Sequence, residues 1–325
     1  MKRRSNILII SGNVFELESK ISWEFNVTSP IRSIGVTYFT VGMCYKILKT
    51  IDHILRNLFD ISVIIPYFLL VTPRLLMCIL SLICDYSLYK ICLVNNENYR
   101  SKLLILASSY VMLIYGSRTF SNTIELILFS CLLYFVAESM IFSNVVIKQQ
   151  EYLTKRYNNS KKTTDKARFH KLRLFLIPHN YRNVFIISNI VALGFFNRPT
   201  FLVYAVCPLF FWTYRGLGFK SVTGIQFHVR LFLLLASALP LVLIFVIIDS
   251  FYFAYITLGE VTMLDISIEN FVFPAFNFIK YNMNEENLKK HGLHPKYLHV
   301  LVNLPLLYNI LAVMAFITIG DFIRW

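Results

Sequence analysis

The amino-acid sequence predicts an all-α fold, namely a polytopic helical membrane protein with about seven spans. Of its 325 residues, 56% are hydrophobic and only 15% are charged, whereas a soluble domain averages about 25% charged residues. Several apolar runs are long enough to cross a bilayer as helices. The alternating segments of about ten residues that build a transmembrane barrel do not occur in the sequence.

The candidate spans follow one another at residues 62–93, 103–117, 123–146, 183–213, 230–257 and 298–319. The run at 183–213 is long for one span, and the sequence Asn197-Arg198-Pro199-Thr200 interrupts it. Because proline breaks the hydrogen-bond ladder of a helix, we expect two helices that turn at this point, each about 22 Å long. The alternative is a single kinked helix.

The charges of the loops predict which side of the membrane each loop faces. Loop 148–182 carries ten Lys or Arg residues against Glu151 and Asp165, so the positive-inside rule places it in the cytosol. Loop 258–297 carries four lysines against five acidic residues and is expected in the lumen. This assignment agrees with the number of spans only if residues 183–213 form two helices.

This topology divides the chain into residues 1–60, an N-terminal segment with the first lumenal loop, and residues 61–325, the transmembrane domain. The basic start and short apolar core of MKRRSNILIISGNVF resemble a signal peptide faintly, and their interpretation stays open. Two glycosylation sequons test the topology, because Asn26 is expected in the lumen and Asn158 in the cytosol.

Three arginines are expected in the membrane interior or at its lumenal edge: Arg74, Arg118 and Arg198. A charge within a span usually faces a cavity or a partner because its burial in lipid is costly. Arginine is planar, permanently charged and bidentate, which suits a phosphate group. The first interpretation is therefore a groove for a lipid phosphate. The second is that these arginines pair with Asp85, Glu125 and backbone carbonyls; Arg118 and Glu125 fall on one helix face.

A cluster of polar residues precedes the last apolar run, in HGLHPKYLHVLVN at 291–303. We predict no metal site, because no cysteine is near the HxxH pair, Glu285 and Glu286 would have to fold back, and the following proline disrupts the helix. Two interpretations remain: an interfacial anchor for a helix end, or a lumenal rim that binds a polyhydroxylated substrate. The rim residues are His291, His294, Lys296, His299 and Asn303.

Charge and cysteine pattern argue against two other classes of protein. The formal charge of +14 is better explained by membrane topology than by nucleic-acid binding, since no soluble basic domain is visible. The six cysteines are scattered and none form CxxC pairs, which argues against a zinc ribbon and a disulfide framework.

Five stretches of the sequence carry a resemblance to known proteins: WEFNVTSPIRS (23–33), TPRLLMCILSLICDYSLYKIC (72–92), SRTFSNTIELILF (117–129), NRPTFLVYAVCPLFFW (197–212) and YNMNEENLKKHGLHPKYLHVLVNLPLL (281–307). In this order they resemble the dolichol-phosphate-mannose-dependent mannosyltransferases of glycosylphosphatidylinositol (GPI) assembly. The similarity covers residues 22–320, and the last stretch is its most specific part.

The resemblance implies a GT-C-like membrane glycosyltransferase of the endoplasmic reticulum. Such an enzyme passes mannose from lumenal dolichol phosphate mannose, with inversion, to a sugar hydroxyl. In this branch the acceptor is the third mannose of a GPI precursor and the bond is α1,2. The implied partners are the lipid-linked donor, the GPI-precursor acceptor and membrane lipids, with no cofactor and no nucleic acid. Protein partners stay open.

Two family motifs are missing from this sequence. In the family, an HPDE-type motif with the catalytic Asp precedes the WEF stretch, but this chain reads SGNVFELESKISWEF, where Glu16 and Glu18 are the nearby carboxylates. A later HQE-type motif is also absent. The catalytic residue is thus unknown, with Glu16 and Glu18 as candidates for a general base. We expect a gene sequence that is incomplete at both ends rather than a non-catalytic paralogue.

Two functions of other classes remain as alternatives. A transporter of a lipid-linked substrate would use half-helices near the membrane midplane, as the NRPT break could provide. A non-catalytic membrane scaffold would explain the missing carboxylate motif.

Overall fold

The structure is a computed structural model that describes residues 22–177, 181–217, 224–263, 266–289, 295, 297–308 and 310–324. Over these residues the chain is helical and has no β-strand, which confirms the predicted all-α class. The helices are α1 (Met43–Phe59), α2 (Pro66–Val94), α3 (Tyr99–Ser108), α4 (Tyr110–Tyr115), α5 (Ser121–Asn159), α6 (Thr163–Leu174), α7 (Val184–Asn197), α8 (Phe201–Tyr214), α9 (Ile225–Tyr252), α10 (Leu258–Met263), α11 (Pro274–Met283), α12 (Glu285–Lys289), α13 (Leu304–Tyr308) and α14 (Ile310–Arg324).

Short helical turns complete the fold. They are the 3₁₀ turns Trp23–Phe25 and Ile268–Asn270, the turn Gly35–Thr37, and the π-helical segments Tyr38–Gly42 and Leu298–Asn303.

Helices α2, α5 and α9 are long and apolar enough to cross a membrane. Three shorter apolar helices accompany them, namely Val184–Asn197, Phe201–Tyr214 and Leu311–Asp321. The protein is therefore a multi-pass membrane protein. The predicted span at 103–117 is divided into α3 and α4 because Ser109 adopts extended backbone angles, φ −65° and ψ 127°.

Helix α5 is the centre of the fold, since it packs against α2, α6, α7 and α8. Its 39 residues correspond to about 58 Å, far more than the ~30 Å hydrocarbon core. The apolar run ends near residue 147, but the helix continues to Asn159 and α6 follows. Much of the predicted loop 148–182 is thus helical. The prediction ended the helix where the hydropathy falls, which marks the edge of the membrane, but Lys, Gln and Glu residues beyond that edge still favour helix.

The NRPT sequence separates two helices, as predicted, and the single kinked helix is excluded. Helix α7 ends at Asn197, Arg198 is extended (φ −156°, ψ 125°), and α8 begins at Phe201. At the turn, Asn197 Nδ2 donates to the Ser121 carbonyl at the start of α5 (2.9 Å).

The open end of this helix pair contacts α5 about five turns further along. There Arg182 Nη2 lies 2.6 Å from Glu138 Oε1, and Arg215 Nε donates to Ser143 Oγ (3.0 Å). Helices α7 and α8 therefore form an antiparallel hairpin along α5.

A close approach between Gly194 and Phe201 holds the hairpin together. Phe201 is fully buried among apolar residues of α5, α7, α8 and α9. A Cβ atom on Gly194 would lie only 2.2 Å from Phe201 Cδ1. Glycine at position 194 thus permits a helix contact that no other residue would allow without movement.

We predict that Gly194→Ala destabilises the protein. Alanine favours helix over glycine by about 0.5–1 kcal/mol, but overpacking against Phe201 costs about 1–3 kcal/mol, so the clash dominates. Thermal unfolding of the detergent-purified protein measures the change. The matched control is Gly224→Ala, because Gly224 has φ −59° and no atom of the described residues lies within 4 Å of an added Cβ. Equal unfolding temperatures for the two variants would contradict the predicted contact.

We also predict that Asn26 carries an N-glycan and that Asn158 does not. Both side chains are exposed, so the side of the membrane alone should decide which sequon is used. The protein is expressed in cells, and its mass is compared before and after glycosidase treatment. We expect treatment to lower the mass of the wild-type protein and of Asn158→Gln, but not that of Asn26→Gln. The reverse pattern would mean that the topology is inverted.

Candidate functional site

A cluster of charged and polar side chains forms where the hairpin turn meets the first turns of α5. Arg198 Nη1 lies 3.6 Å from Glu125 Oε2, and the same guanidinium group donates a hydrogen bond to Asn122 Oδ1. Thr200 Oγ1 donates to the other oxygen of Glu125, Oε1 (3.2 Å). Residues on both sides of Pro199 thus hold one carboxylate of α5.

The N-terminal loop brings a second arginine to this cluster. Arg32 Nη1 donates to Ser121 Oγ (3.2 Å), and Arg32 Nε pairs with Glu24 Oε2 (3.0 Å). Burial lowers the pKa of Arg32, the Glu24 carboxylate opposes this change, and the charge of Arg198 adds to it. Because a guanidinium group stays protonated in proteins, the site contains two permanent cations.

Asp249 of α9 fixes the N-terminal loop beside the hairpin. Its Oδ1 atom accepts hydrogen bonds from Ser33 Oγ and from the Ile34 backbone N–H, both at 3.0 Å. Asp249 is fully buried. Since Arg32 directly precedes the two donors, this contact fixes the backbone position from which the Arg32 side chain extends.

A cavity of about 530 Å³ is lined in part by Glu125 and Asn122. Its volume lies in the range of small-molecule sites. Glu125 is the acidic residue in a wall that is otherwise apolar, aromatic or neutral. The lining residues are Val111, Tyr115, Gly116, Phe120, Asn122, Thr123, Glu125, Leu126, Phe129, Tyr204, Leu307 and Tyr308.

This arrangement can bind a ligand that has both an anionic group and an apolar part. Arg198 Nε is buried and has no hydrogen-bond partner in the described part of the chain. A guanidinium group held by a carboxylate and an amide is pre-oriented to donate to a phosphate oxygen. Apolar and aromatic side chains in the adjacent cavity suit a hydrocarbon chain or the faces of a sugar ring.

The structure separates the three arginines that the sequence grouped. Only Arg198 joins the charged cluster. Arg74 lies on the exposed side of α2 and Arg118 is exposed in the turn before α5. None of the three arginines lines the cavity, but Arg198 contacts two residues that do, Asn122 and Glu125. Glu125 pairs with Arg198 rather than with Arg118, because the hairpin turn reaches it from the side.

The C-terminal rim is described only in part. His291, His294 and Lys296, and the carboxylate candidates Glu16 and Glu18, lie outside the described residues. His299 and Asn303 belong to the π-helical segment Leu298–Asn303, and Asn303 is half-buried.

The run that contains the rim nevertheless reaches the candidate site. Leu307, the last residue of the stretch HGLHPKYLHVLVNLPLL, lines the cavity together with Glu125 and Asn122. The segment after the predicted rim therefore lies at the cavity beside the hairpin turn.

Sequence reasoning missed five side chains that build the site. They are Glu24, Arg32, Asn122, Asn197 and Thr200. All five lie within the stretches WEFNVTSPIRS, SRTFSNTIELILF and NRPT. The signal that could have found them is the convergence of these stretches in space, which the sequence alone does not show.

Comparison with known proteins covers the same stretches of the chain. The Alg9-like mannosyltransferase family matches residues 6–323 of the chain. GPI mannosyltransferase 4 of Drosophila melanogaster is 36% identical over 94% of this chain and 44% of its own length. GPI alpha-1,2-mannosyltransferase 4 of Homo sapiens is 30% identical over 94% of this chain and 46% of its own length. GPI mannosyltransferase 4 of Saccharomyces cerevisiae is 28% identical over 92% of this chain and 47% of its own length.

The chain thus spans about half the length of the curated relatives it matches. No solved structure matches it. The family match covers nearly every residue, including the four stretches that contribute residues to the charged cluster and its cavity. The chain therefore belongs to the Alg9-like mannosyltransferase family.

Proposed function

We propose that the protein containing this chain transfers mannose from dolichol phosphate mannose to the third mannose of a GPI precursor in the endoplasmic reticulum membrane. The new bond is α1,2. The observation that carries the proposal is the contact of Arg198 with Asn122 and Glu125, because these two partners of its guanidinium group also line the apolar cavity. The names of the relatives, GPI mannosyltransferase 4 and GPI alpha-1,2-mannosyltransferase 4, support the same reaction and linkage.

The reaction breaks the bond between mannose and a lipid phosphate, and the phosphate leaves with the electron pair. Negative charge develops on that phosphate in the transition state. The guanidinium groups of Arg198 and of nearby Arg32 stabilise this charge, and because they are already fixed in place they need no reorganisation. A phosphate is also a good leaving group, so no strong general acid is needed. The donor itself supplies the activated sugar, and we propose no cofactor.

Glu125 acts in this proposal as a positioning residue for Arg198. It holds the guanidinium group from one side while Asn122 holds it from another. The general base that removes the acceptor proton is not assigned, and Glu16 and Glu18 remain candidates from the sequence alone. The rim residues His291, His294, Lys296, His299 and Asn303 remain proposed contacts to sugar hydroxyls.

A transferase explains the observations better than a transporter or a scaffold. The three relatives above are all named as transferases. A transporter could use the NRPT break as a site between half-helices. In this structure the break is the turn of the α7–α8 hairpin, and its residues contact Ser121 and Glu125 of α5. No specific observation favours either alternative.

We predict that Arg198→Ala reduces mannosyl transfer roughly 100-fold, the usual effect of removing one donor to a developing anion. The assay uses cells that lack their own GPI mannosyltransferase 4 and express the complete reading frame containing this chain. The measured quantity is the ratio of four-mannose to three-mannose GPI precursors.

The matched control is Arg182→Ala, which removes the ion pair with Glu138 at the other end of the same hairpin. We expect less than a threefold effect from this control, because exposed ion pairs contribute about 0–1 kcal/mol. If Arg198→Ala retains normal product, Arg198 does not bind the phosphate. If the wild-type reading frame yields no four-mannose precursor, the proposed reaction is wrong.

We predict that Glu125→Gln raises the KM for dolichol phosphate mannose about tenfold, which corresponds to about 1.4 kcal/mol. Glutamine preserves the shape and can still accept from Thr200, but it removes the charge that orients Arg198. Because Glu125 acts through Arg198, adding Glu125→Gln to Arg198→Ala should have no further effect. Glu138→Gln is the matched control. An additive double variant would show that Glu125 acts independently of Arg198.

A further inference from the structure

An exposed pair of aromatic rings lies where the N-terminal loop meets α11. The rings of Trp23 and Tyr281 have centroids 5.2 Å apart and planes tilted by 36°. Trp23 is 45% exposed, whereas Tyr281 is half-buried. Because Tyr281 supports one side of the indole, the exposed part of Trp23 lies on its other side. These two residues are called the aromatic platform below.

The backbone on both sides of the aromatic platform is anchored. In the loop, Phe25 is buried in an apolar core cluster. On α11, Asn277 precedes Tyr281 by one turn, and its Nδ2 atom donates to the Pro30 carbonyl (3.1 Å). Both rings therefore project from a fixed backbone, which lowers the entropic cost of binding a ligand.

The aromatic platform is directly connected to the charged cluster. Glu24 follows Trp23, and its carbonyl accepts from the backbone N–H groups of Ile31 (2.9 Å) and Arg32 (3.3 Å). The Glu24 carboxylate pairs with Arg32 Nε, and Nη1 of the same guanidinium group donates to Ser121 Oγ. The platform thus begins one residue away from a partner of the arginine that is proposed to stabilise the leaving phosphate.

The surroundings of the aromatic platform differ from those of the cavity beside Glu125. Apart from Val27 and Met283, the exposed side chains that follow each ring along the chain are neutral polar or acidic. They are Asn26, Thr28 and Ser29 in the loop, and Asn284, Glu285 and Glu286 after α11. Their amides, hydroxyls and carboxylates can exchange hydrogen bonds with sugar hydroxyls. The cavity wall is instead mostly apolar and aromatic.

We propose that the aromatic platform binds the mannose chain of the acceptor, with one face of a mannose ring against the indole of Trp23. This inference rests on the proposed function, in which the acceptor is a three-mannose glycan. One face of a hexose presents C–H groups while its hydroxyls point outward. An exposed aromatic ring beside amides and carboxylates therefore matches both parts of the sugar.

The two substrates then approach the arginines from different surroundings. The donor carries a phosphate and a hydrocarbon chain, which fit Arg198 and the apolar cavity that its partners line. The mannose chain of the acceptor is uncharged and hydrophilic, so it fits the exposed platform. Exposed Trp and Tyr also occur at lipid interfaces, but an anionic lipid surface attracts basic residues. The neutral and acidic residues that follow both rings therefore favour a sugar.

Saturation-transfer-difference NMR of the full chain in deuterated detergent tests the proposal. The probe is soluble mannotriose, which represents the glycan of the acceptor without its lipid. We expect Trp23→Ala to raise the Kd for mannotriose about tenfold, because it removes the ring on which the sugar stacks. Trp23→Tyr keeps an aromatic face and should raise the Kd less than threefold. Val27→Ala, which truncates an exposed apolar side chain of the same loop, is the matched control.

A kinetic measurement separates binding of the acceptor from binding of the donor. In transfer assays with the complete protein that contains this chain, Trp23→Ala should raise the KM for the three-mannose precursor about tenfold. The KM for dolichol phosphate mannose should change less than twofold, because the donor lies at the cavity and not at the platform.

Three outcomes would overturn the proposal: no binding of mannotriose to the wild-type chain, equal Kd values for wild type and Trp23→Ala, or equal losses in Trp23→Ala and Val27→Ala. Equal Kd values would leave the two rings as an interfacial anchor. Because the NMR readout needs no turnover, it is separate from the test of the reaction. If no four-mannose precursor forms but mannotriose binding still depends on Trp23, the reaction is wrong and the sugar site stands.

Discussion

The contact between the α7–α8 turn and the first turns of α5 is the constraint on which the rest of the structure depends. A helix pair that ends within or beside a membrane exposes backbone groups and charged side chains that lipid cannot satisfy. Here α5 satisfies them through the Ser121 carbonyl, Asn122 and Glu125. The same side chains that close the turn thereby become the polar wall of a cavity.

This constraint explains why the site lies at the end of α5 and not in the middle of the bundle. Arg198 sits at the break in the hairpin, where a side chain can point away from the lipid, and its charge is matched by a carboxylate that is largely buried. In the proposed reaction, the Arg198–Glu125 pair that stabilises the helix packing also orients the guanidinium group to donate hydrogen bonds to an anion.

Loops outside the membrane are tied to the same point by buried polar contacts. Asp249 of α9 holds residues 33–34, and Arg32 reaches Ser121 of α5. Asn277 Nδ2 donates to the Pro30 carbonyl (3.1 Å), which adds α11 to the assembly. Segments that are up to 247 residues apart in the chain therefore fix one loop.

The sequence by itself determined the fold class and the break at Pro199, and it predicted Arg198 as a candidate site residue. Long apolar runs, a helix-breaking proline and a costly charge are local features that act whatever the tertiary structure is. Only the tertiary structure decided that Glu125 pairs with Arg198 and not with Arg118, and that Arg74 stays outside the cluster. Helical spacing relates residues of one element, whereas the partner of Glu125 comes from a different hairpin.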